Sequence, residues 1–223
     1  MKLGIMQPYF FPYIGYWQLL NAVDEYVVYD DVNFIKGGWI NRNRILVGNE
    51  IKYFNVPMIG ASSYKKINEI EVDMNPGIRN KLIRTIEINY FKAPYYDKAF
   101  EVFRKVVTQE ESNLARYLYY SIEAICEYLG ITTKLLISSE INKNNCLKGE
   151  DKVLQICKIL NASEYYNAIG GKELYSKENF LHDGIELKFV KTSDGVPNLS
   201  ILDVMMNNSI GEIRNMLQDY ELQ

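Results

Sequence analysis

Four groups of residues in this chain have the types and spacing to do chemistry. Gln7, Tyr9, Tyr13 and Tyr16 fall in the opening run GIMQPYFFPYIGYWQLL. Asp30 and Asp31 are adjacent carboxylates, with Lys36 close behind. Trp39, Asn41, Arg42 and Asn43 interleave an indole, two amides and a guanidinium. Ser138 and Ser139 form the last group, together with Gly170, Gly171 and Tyr175 further along. Each group falls at an expected strand end or turn, and open α/β sheets bind ligands outside the carboxyl ends of their strands.

What each group can do follows from its side chains. Asp30 and Asp31 could position a metal, accept a sugar hydroxyl or act as a general base; a turn or cap pair is the structural alternative. Adjacent residues of an extended chain point to opposite faces, so at most one of them enters a given pocket. An indole covers the apolar face of a sugar and amides pair with its hydroxyls, which suits Trp39, Asn41 and Asn43. Arg42 or Arg44, on the opposite face, could grip a pyrophosphate bidentately. The alternative there is an amphipathic edge strand with a solvated face. Small hydroxyls in the turn at Ser138-Ser139 suit an anion, although helix capping also explains them. No Gly-x-Ser-x-Gly elbow surrounds them, which argues against a serine hydrolase. Gly170-Gly171 is not a GxGxxG fingerprint, so a nicotinamide cofactor has no support. Metal binding is poorly supported: there is one histidine, no Cys-rich spacing and no DxD triplet.

The elements that must position these groups read as an alternation. Lys2 to Met6 is a strand that Gln7-Pro8 ends, since proline donates nothing to a ladder. Gly15 to Val23 follows as a helix, and the nearly all-apolar Glu25 to Tyr29 as a strand buried on both faces of a parallel sheet. That is a βαβ unit. Trp39 to Leu46 alternates as a strand, with Trp39, Asn41 and Asn43 on one face. Gly48-Asn49 signals a hairpin into Ile51–Val56, and Ile67 to Val72 reads as another short strand. Residues 75–129 are helical: Asn75 caps with Pro76 at the first position, Ala93-Pro94 starts a second helix, and Ser112 caps a third that Gly130 closes. Alternation then resumes with strands at Thr132–Ile137, Glu164–Asn167 and Ile185–Val190. Helices fall at 149–160, 199–206 and 211–220, and a Gly170-Gly171 turn leads into Lys172–Tyr175. The pattern predicts one α/β domain over 1–223, with a mostly parallel sheet and an inserted helical segment.

Composition narrows the classes. A chain of 223 residues with 48% hydrophobic and 24% charged residues can bury a full-sized core. A net charge of −3 argues against a nucleic-acid surface. No apolar run approaches a membrane span, and the opening segment lacks a signal-peptide cleavage site. Cys126, Cys146 and Cys157 have no CxxC spacing, which fits a reducing cytoplasm. Cys126 and Cys157 lie on apolar helix stripes and read as core, Cys146 as exposed, and His182 as a turn residue. The 18 tyrosines against 2 tryptophans are either half-buried fillers or, in part, the lining of a sugar or base pocket.

The opening layout is similar to that of nucleotidylyltransferases, in which a strand leads to His-x-Gly-His at a helix start. Here the corresponding residues are Tyr13-Ile14-Gly15-Tyr16. A tyrosine hydroxyl donates one hydrogen bond but carries no charge near neutrality. The likeness implies a Rossmann-like, nucleotidylyltransferase/HUP-like, phosphate-binding fold more than it implies nucleotidyl transfer.

Taken together, QPYFFPYIGYWQLL, DEYVVYDDVNFIKGGWINRNRIL, Ile137-Ser138-Ser139-Glu140, Tyr166-Asn167-x-x-Gly170-Gly171-x-x-Leu174-Tyr175 and Leu199-Ser200-Ile201-Leu202-Asp203-Val204-Met205 resemble the WbqC-like protein family. The loop Ser193-Asp194-Gly195-Val196-Pro197-Asn198 departs from that pattern in lacking an aromatic/amide signature. The resemblance implies a cytoplasmic role in bacterial surface-polysaccharide (O-antigen) biosynthesis. From it follow three expectations. The first is a transferase carrying an acyl or aminoacyl group to the amine of a nucleotide-linked sugar, with Asp30 or Asp31 accepting the proton and Gln7, Tyr9 and Asn41 orienting the sugar. The second is a nucleotidylyltransferase acting on a sugar phosphate. The third is a non-catalytic sugar-binding or scaffold protein of the same pathway. No acyl-carrier or coenzyme A motif is visible, and the sequence indicates no particular cofactor, no nucleic-acid partner and no membrane insertion.

Overall fold

The computed structural model of the chain describes residues 1–48, 50–193 and 198–223. Strand β1 (Lys2–Met6) ends where Gln7-Pro8 leaves the ladder, and the chain turns through Tyr9–Tyr13 into helix α1 (Ile14–Asn21). It returns as β2 (Glu25–Val28), parallel to β1 with Leu3 beside Glu25 and Met6 beside Val28. A hairpin of β3 (Arg42–Val47) and β4 (Glu50–Asn55) follows, then the short pair β5 (Met58–Ile59) and β6 (Glu71–Val72). Three helices fill the middle of the chain: α2 (Pro76–Tyr90), α3 (Tyr96–Thr108) and α4 (Leu114–Leu129). Strand β7 (Lys134–Ile137), helix α5 (Gly149–Ile159), β8 (Glu164–Ala168), α6 (Lys177–His182) and β9 (Glu186–Thr192) restore the alternation. Helices α7 (Ile201–Asn207) and α8 (Ile210–Met216) and the strand β10 (Tyr220–Leu222) end the chain.

The main sheet runs β10-β9-β8-β1-β2-β7. Its ladders are parallel except for β10, which pairs antiparallel with β9. Counting the parallel strands in chain order, the sheet reads 3-2-1-4-5. The order therefore reverses between β1 and β8, and at such a reversal the loops above the two strands diverge and open a crevice.

Strand alternation divides the core in two. Leu3, Ile5, Val27, Tyr165, Leu187 and Phe189 pack with Ile156, Cys157 and Phe180 on the face covered by α5 and α6. Tyr26, Val28, Tyr166 and Val190 pack on the other face, with Trp17 and Leu20 of α1, Leu118 and Ile122 of α4, and Met205 of α7. Successive strand residues point to opposite sides, which is why the unbroken apolar run of β2 serves both layers. Among the described residues no helix is long and apolar enough to cross a membrane. Cys126 and Cys157 are core residues and burial pushes both thiols up to about 12, while Cys146 is exposed.

Several local expectations need correcting. Trp39 to Asn41 precede the strand that was predicted to include them, because Gly38 and Ile40 are engaged by loop hydrogen bonds. The face shared by Trp39, Asn41 and Asn43 therefore does not form. Residues 67–69 are a 3-10 turn, closed by a reciprocal Lys66–Glu69 cap, and only Glu71–Val72 are strand. The N-cap of α4 is Asn113, whose side chain accepts from the Arg116 amide, and not Ser112. Helix α3 starts after Tyr95, later than Ala93-Pro94 suggested. The segment after Gly170-Gly171 continues a 3-10 turn, Ile169–Leu174. Helix α6, capped by Ser176, and strand β10 were not anticipated: both are short, and neither carries a full period of apolar residues. The Asn75 cap, Pro76 and the left-handed Gly130 (φ 72°) stand as expected. Gly48 also has positive φ at the hairpin, but Asn49 lies outside the described residues.

Gly15 lets α1 start against β9. A Cβ there would lie 2.4 Å from Thr192 Oγ1 and 2.5 Å from the Tyr13 ring. Gly15→Ala is expected to destabilise the protein by about 1–3 kcal/mol through overpacking, read as a fall in Tm. Gly211→Ala serves as control, since its Cβ meets only Ser209 Oγ at 3.9 Å. Equal melting curves for the two variants would contradict this contact.

Candidate functional site

The turn from Pro8 to Tyr13 leaves the sheet with its backbone oxygens pointing inward, and distant groups satisfy them. Asn43 Nδ2 of β3 donates to Phe10 O (3.3 Å) and Phe11 O (2.9 Å). Ser200 Oγ, at the N-cap of α7, donates to Phe11 O at 2.7 Å. Pro12 O accepts from Trp17 Nε1 (3.0 Å) and from the Ile201 amide (2.9 Å). Phe10 and Phe11 are wholly buried against Phe54 and Phe103, and Phe11 is held at φ 44°. With those rings fixed inward, Tyr9 and Tyr13 face outward, half-buried.

Those two tyrosines line a cleft of about 600 Å³ at the carboxyl ends of β1 and β8, at the point where the strand order reverses. Ile5, Met6 and Gln7 form one side, and Asn167, Ala168, Gly170, Gly171, Leu174 and Tyr175 the other. Tyr29, Val32, Ile35, Trp39, Asn43 and Asn198 complete the wall. None of the described residues lining it is charged. Burial pushes the hydroxyls of Tyr9, Tyr13, Tyr29 and Tyr175 above their ordinary value, so they stay protonated; the Tyr13 hydroxyl is engaged by Thr192, and that of Tyr175 by Tyr165 and Asn167. Two of the amides are already engaged: Asn43 as above, and Asn167, whose Nδ2 donates to Tyr165 Oη at 2.7 Å and whose Oδ1 accepts from the Ala168 amide. The side chain of Gln7 and the hydroxyls of Tyr9 and Tyr29 make no hydrogen bond to any described residue, while facing the same space.

The predicted site residues thus separate. Gln7, Tyr9, Tyr13, Trp39, Asn43, Gly170, Gly171 and Tyr175 meet in the cleft. Tyr16 does not: it is fully buried, donates to Gln7 O at 3.2 Å and packs edge-on against Trp17 and Tyr26, so it is a core residue. Asn41 is turned away to donate to Val56 O. Arg42 folds back onto the carbonyls of Gly37 and Gly38 and lies 4.6 Å from the Tyr53 ring centroid. Arg44 lies 5.0 Å from the Trp39 centroid. Lys36 is exposed and outside the cleft lining.

The carboxylates are also elsewhere. β2 runs on into Tyr29-Asp30-Asp31, where Tyr29 lines the cleft while Asp30 turns to the other side. There Asp30 accepts from Ser139 N (2.8 Å), Ser139 Oγ (2.6 Å) and Asn68 Nδ2 (3.1 Å), at the edge of a separate hollow of about 200 Å³. Asp31 accepts from Ser138 Oγ at 2.7 Å and pairs with Lys143 and Lys152, each 2.9 Å from Oδ2. Both lysine side chains are buried, and Lys152 Nζ lies 5.1 Å from the Tyr29 ring centroid. Burial pushes the Asp31 carboxyl up. Hydrogen bonds from Lys152, Ser138 and Lys143 and the Lys152 charge outweigh it, and the group sits below its ordinary value. Asp31 is thus already neutralised by two cations, the opposite of a general base waiting for a proton. Ser138 and Ser139 are spoken for by these carboxylates and are not a free anion site.

Sequence reasoning missed Tyr29, Ile35, Asn167, Leu174 and Asn198 in the cleft wall and Lys143 and Lys152 behind it. Asn167 had a usable signal, as the last polar residue of a strand ahead of two glycines. The lysines had none, since they come from a loop and a helix more than a hundred residues away. Of the loop that departed from the family pattern, residues 194–197 lie outside the described set, and Asn198 borders the cleft.

Asp31→Asn leaves two buried ammonium groups without their counter-ion and is expected to cost about 3–5 kcal/mol at neutral pH. The folded carboxyl titrates below its unfolded value, so its stabilisation is complete above about pH 4 and is lost as the pH falls further. Chemical denaturation across pH 2.5–7 should show the wild type losing that increment on the acid side and Asp31→Asn showing none to lose. Parallel curves for the two proteins would contradict it.

Comparison with known proteins identifies a family. The model of the WbqC-like protein family matches residues 7–215, a span that takes in the aromatic turn, both strand ends of the cleft and the Ser200 cap. An uncharacterized protein of Mycobacterium tuberculosis, Rv1507c, is 26% identical over 219 residues, covering 92% of this chain and 93% of that protein. No solved structure matches. With the family model covering almost its whole length, the chain belongs to the WbqC-like protein family.

Proposed function

We propose that this protein is an enzyme of bacterial surface-polysaccharide biosynthesis that binds a nucleotide-linked amino sugar in the cleft and transfers an acyl or aminoacyl group to the sugar amine. The observation that carries this reading is the lining itself: tyrosine and tryptophan rings with neutral amides, at the reversal of a 3-2-1-4-5 parallel sheet. Aromatic rings cover apolar sugar faces, and neutral donors suit hydroxyls. The strand order supports a Rossmann-like relationship, in which nucleotides lie across that reversal. Gly170, where an added Cβ would meet open space, leaves bare backbone for the diphosphate to approach.

The uncharged lining also suggests how the amine is activated. An ammonium ion loses its hydration in such a cleft and meets no carboxylate among the described lining residues, so desolvation lowers the amine pKa and favours the free base. The free base is the nucleophile. No carboxylate is then required to remove a proton before attack, and Asp30 and Asp31 keep their structural duties. The tyrosine hydroxyls, held neutral, stabilise the oxyanion that forms at the acyl carbonyl; its collapse breaks the bond between the acyl carbon and the donor's leaving group, which departs with the proton shed by the new amide nitrogen. Nucleotidyl transfer is less favoured, because it places more negative charge on phosphate than these neutral groups can offset.

The test is to incubate the protein with dTDP- and UDP-linked amino sugars and a panel of acyl and aminoacyl donors, and to follow the sugar nucleotide by mass spectrometry. The expected result is an acyl mass increment, with a rate that rises with pH up to the amine pKa and no second limb from a carboxylate. Trp39→Ala, at a position 36% exposed and so tolerant of truncation, should weaken sugar-nucleotide binding about tenfold with an unchanged Tm. No mass change with any donor, together with no thermal stabilisation by any sugar nucleotide, would sink the proposal.

A further inference from the structure

The cleft combines neutral polar groups with an apolar wall, and that combination bears on which sugar it takes. This inference rests on the nucleotide-sugar reading above. Gln7, Tyr9, Tyr29, Trp39 and Asn198 carry side-chain donors or acceptors that no described residue engages. Asn43 and Asn167 are committed to the turn and to Tyr165. Much of the remaining wall is aliphatic: Ile5, Met6, Val32, Ile35 and Leu174. A fully hydroxylated hexose turns a hydroxyl towards every part of its surroundings, including its exocyclic carbon. Against an aliphatic wall such a hydroxyl loses water and finds no partner. A carboxylate at the same carbon would be far worse, since no described residue of the lining carries positive charge.

We infer that the sugar accepted here is a 6-deoxyhexose, its methyl group lying against the aliphatic wall, and that uronic and other acidic sugars are excluded. The hydroxyls that remain, and the amine, are within the capacity of the free neutral groups. The methyl takes the place where a polar substituent would have no partner. Ile35 and Leu174 are 54% and 69% exposed without ligand, and covering them with a methyl group and a sugar ring removes apolar area from water.

Isothermal titration of the full-length protein with UDP-glucose, UDP-6-deoxyglucose and UDP-glucuronate, and with the dTDP-glucose and dTDP-6-deoxyglucose pair, isolates the substituent. The expected result is binding of the 6-deoxy member of each pair about tenfold tighter than its 6-hydroxy partner, within the range by which an apolar pocket rejects an added hydroxyl. The glucuronate should bind at least a hundredfold more weakly than the 6-deoxy sugar. Ile35→Asn and Leu174→Asn, both substitutions at exposed side chains, should shrink the 6-deoxy preference without lowering Tm. Equal affinity within each pair overturns the inference while leaving the nucleotide-sugar reading intact. Tight binding of UDP-glucuronate also overturns it alone. Failure of every sugar nucleotide to bind overturns both.

Discussion

A turn that carries buried aromatic rings also buries its own carbonyls, and a buried carbonyl without a donor costs free energy comparable to a lost hydrogen bond. Between β1 and α1 this constraint organises much of the molecule. The oxygens of Phe10, Phe11 and Pro12 are satisfied by Asn43 from the β3–β4 hairpin, by Ser200 and Ile201 at the start of α7 and by Trp17 of α1. Segments far apart in the chain are therefore fastened to one turn. Because Phe10 and Phe11 are held inward by that fastening, Tyr9 and Tyr13 are presented outward at the mouth of the sheet. The cleft depends on contacts that never touch its interior.

The end of β2 applies the same logic to charge. Tyr29, Asp30 and Asp31 follow one another, and each goes to a different place: the cleft wall, the Ser139–Asn68 junction and the Lys143–Lys152 pair. A carboxylate beneath the sheet edge is tolerable only when fully partnered. Asp31 meets that requirement with two lysines, one of which also lies over Tyr29. The negative charge of Asp31 thus anchors the loop after β7 and the helix α5, behind the cleft. What remains inside the cleft, among the described residues, is neutral.

The sheet was legible because its signals are local: an apolar strand ended by Gln7-Pro8, a buried run at Glu25–Val28 and the Asn75-Pro76 and Gly130 helix boundaries. The strand-end rule also located part of the cleft, from Gln7 and Tyr9 to Gly170, Gly171 and Tyr175. Orientation was not legible. Asn43 looks like a sugar contact in sequence, whereas the turn carbonyls claim its amide. Tyr16 sits one helical turn from Tyr13 in α1 and yet belongs to the core, since no local pattern says which tyrosine of an aromatic run faces inward. The partners of Asp30 and Asp31 were illegible for a similar reason: they lie on segments distant in the chain. Short elements such as α6 and β10 owe their form to tertiary contacts and leave little trace in periodicity.

Membership of the WbqC-like family fits this division, since the matched span takes in both the turn and the residues that pin it. The central claim is that the neutral cleft between β1 and β8 is where the sugar nucleotide binds. A crystal structure of the protein soaked with a dTDP-linked amino sugar tests it most directly. The account predicts density for the sugar ring against Tyr9, Trp39 and Tyr175, within hydrogen-bonding distance of Gln7 and Tyr29. Density in the hollow beside Asp30 and Ser139, with the main cleft left vacant at saturating ligand, would contradict it.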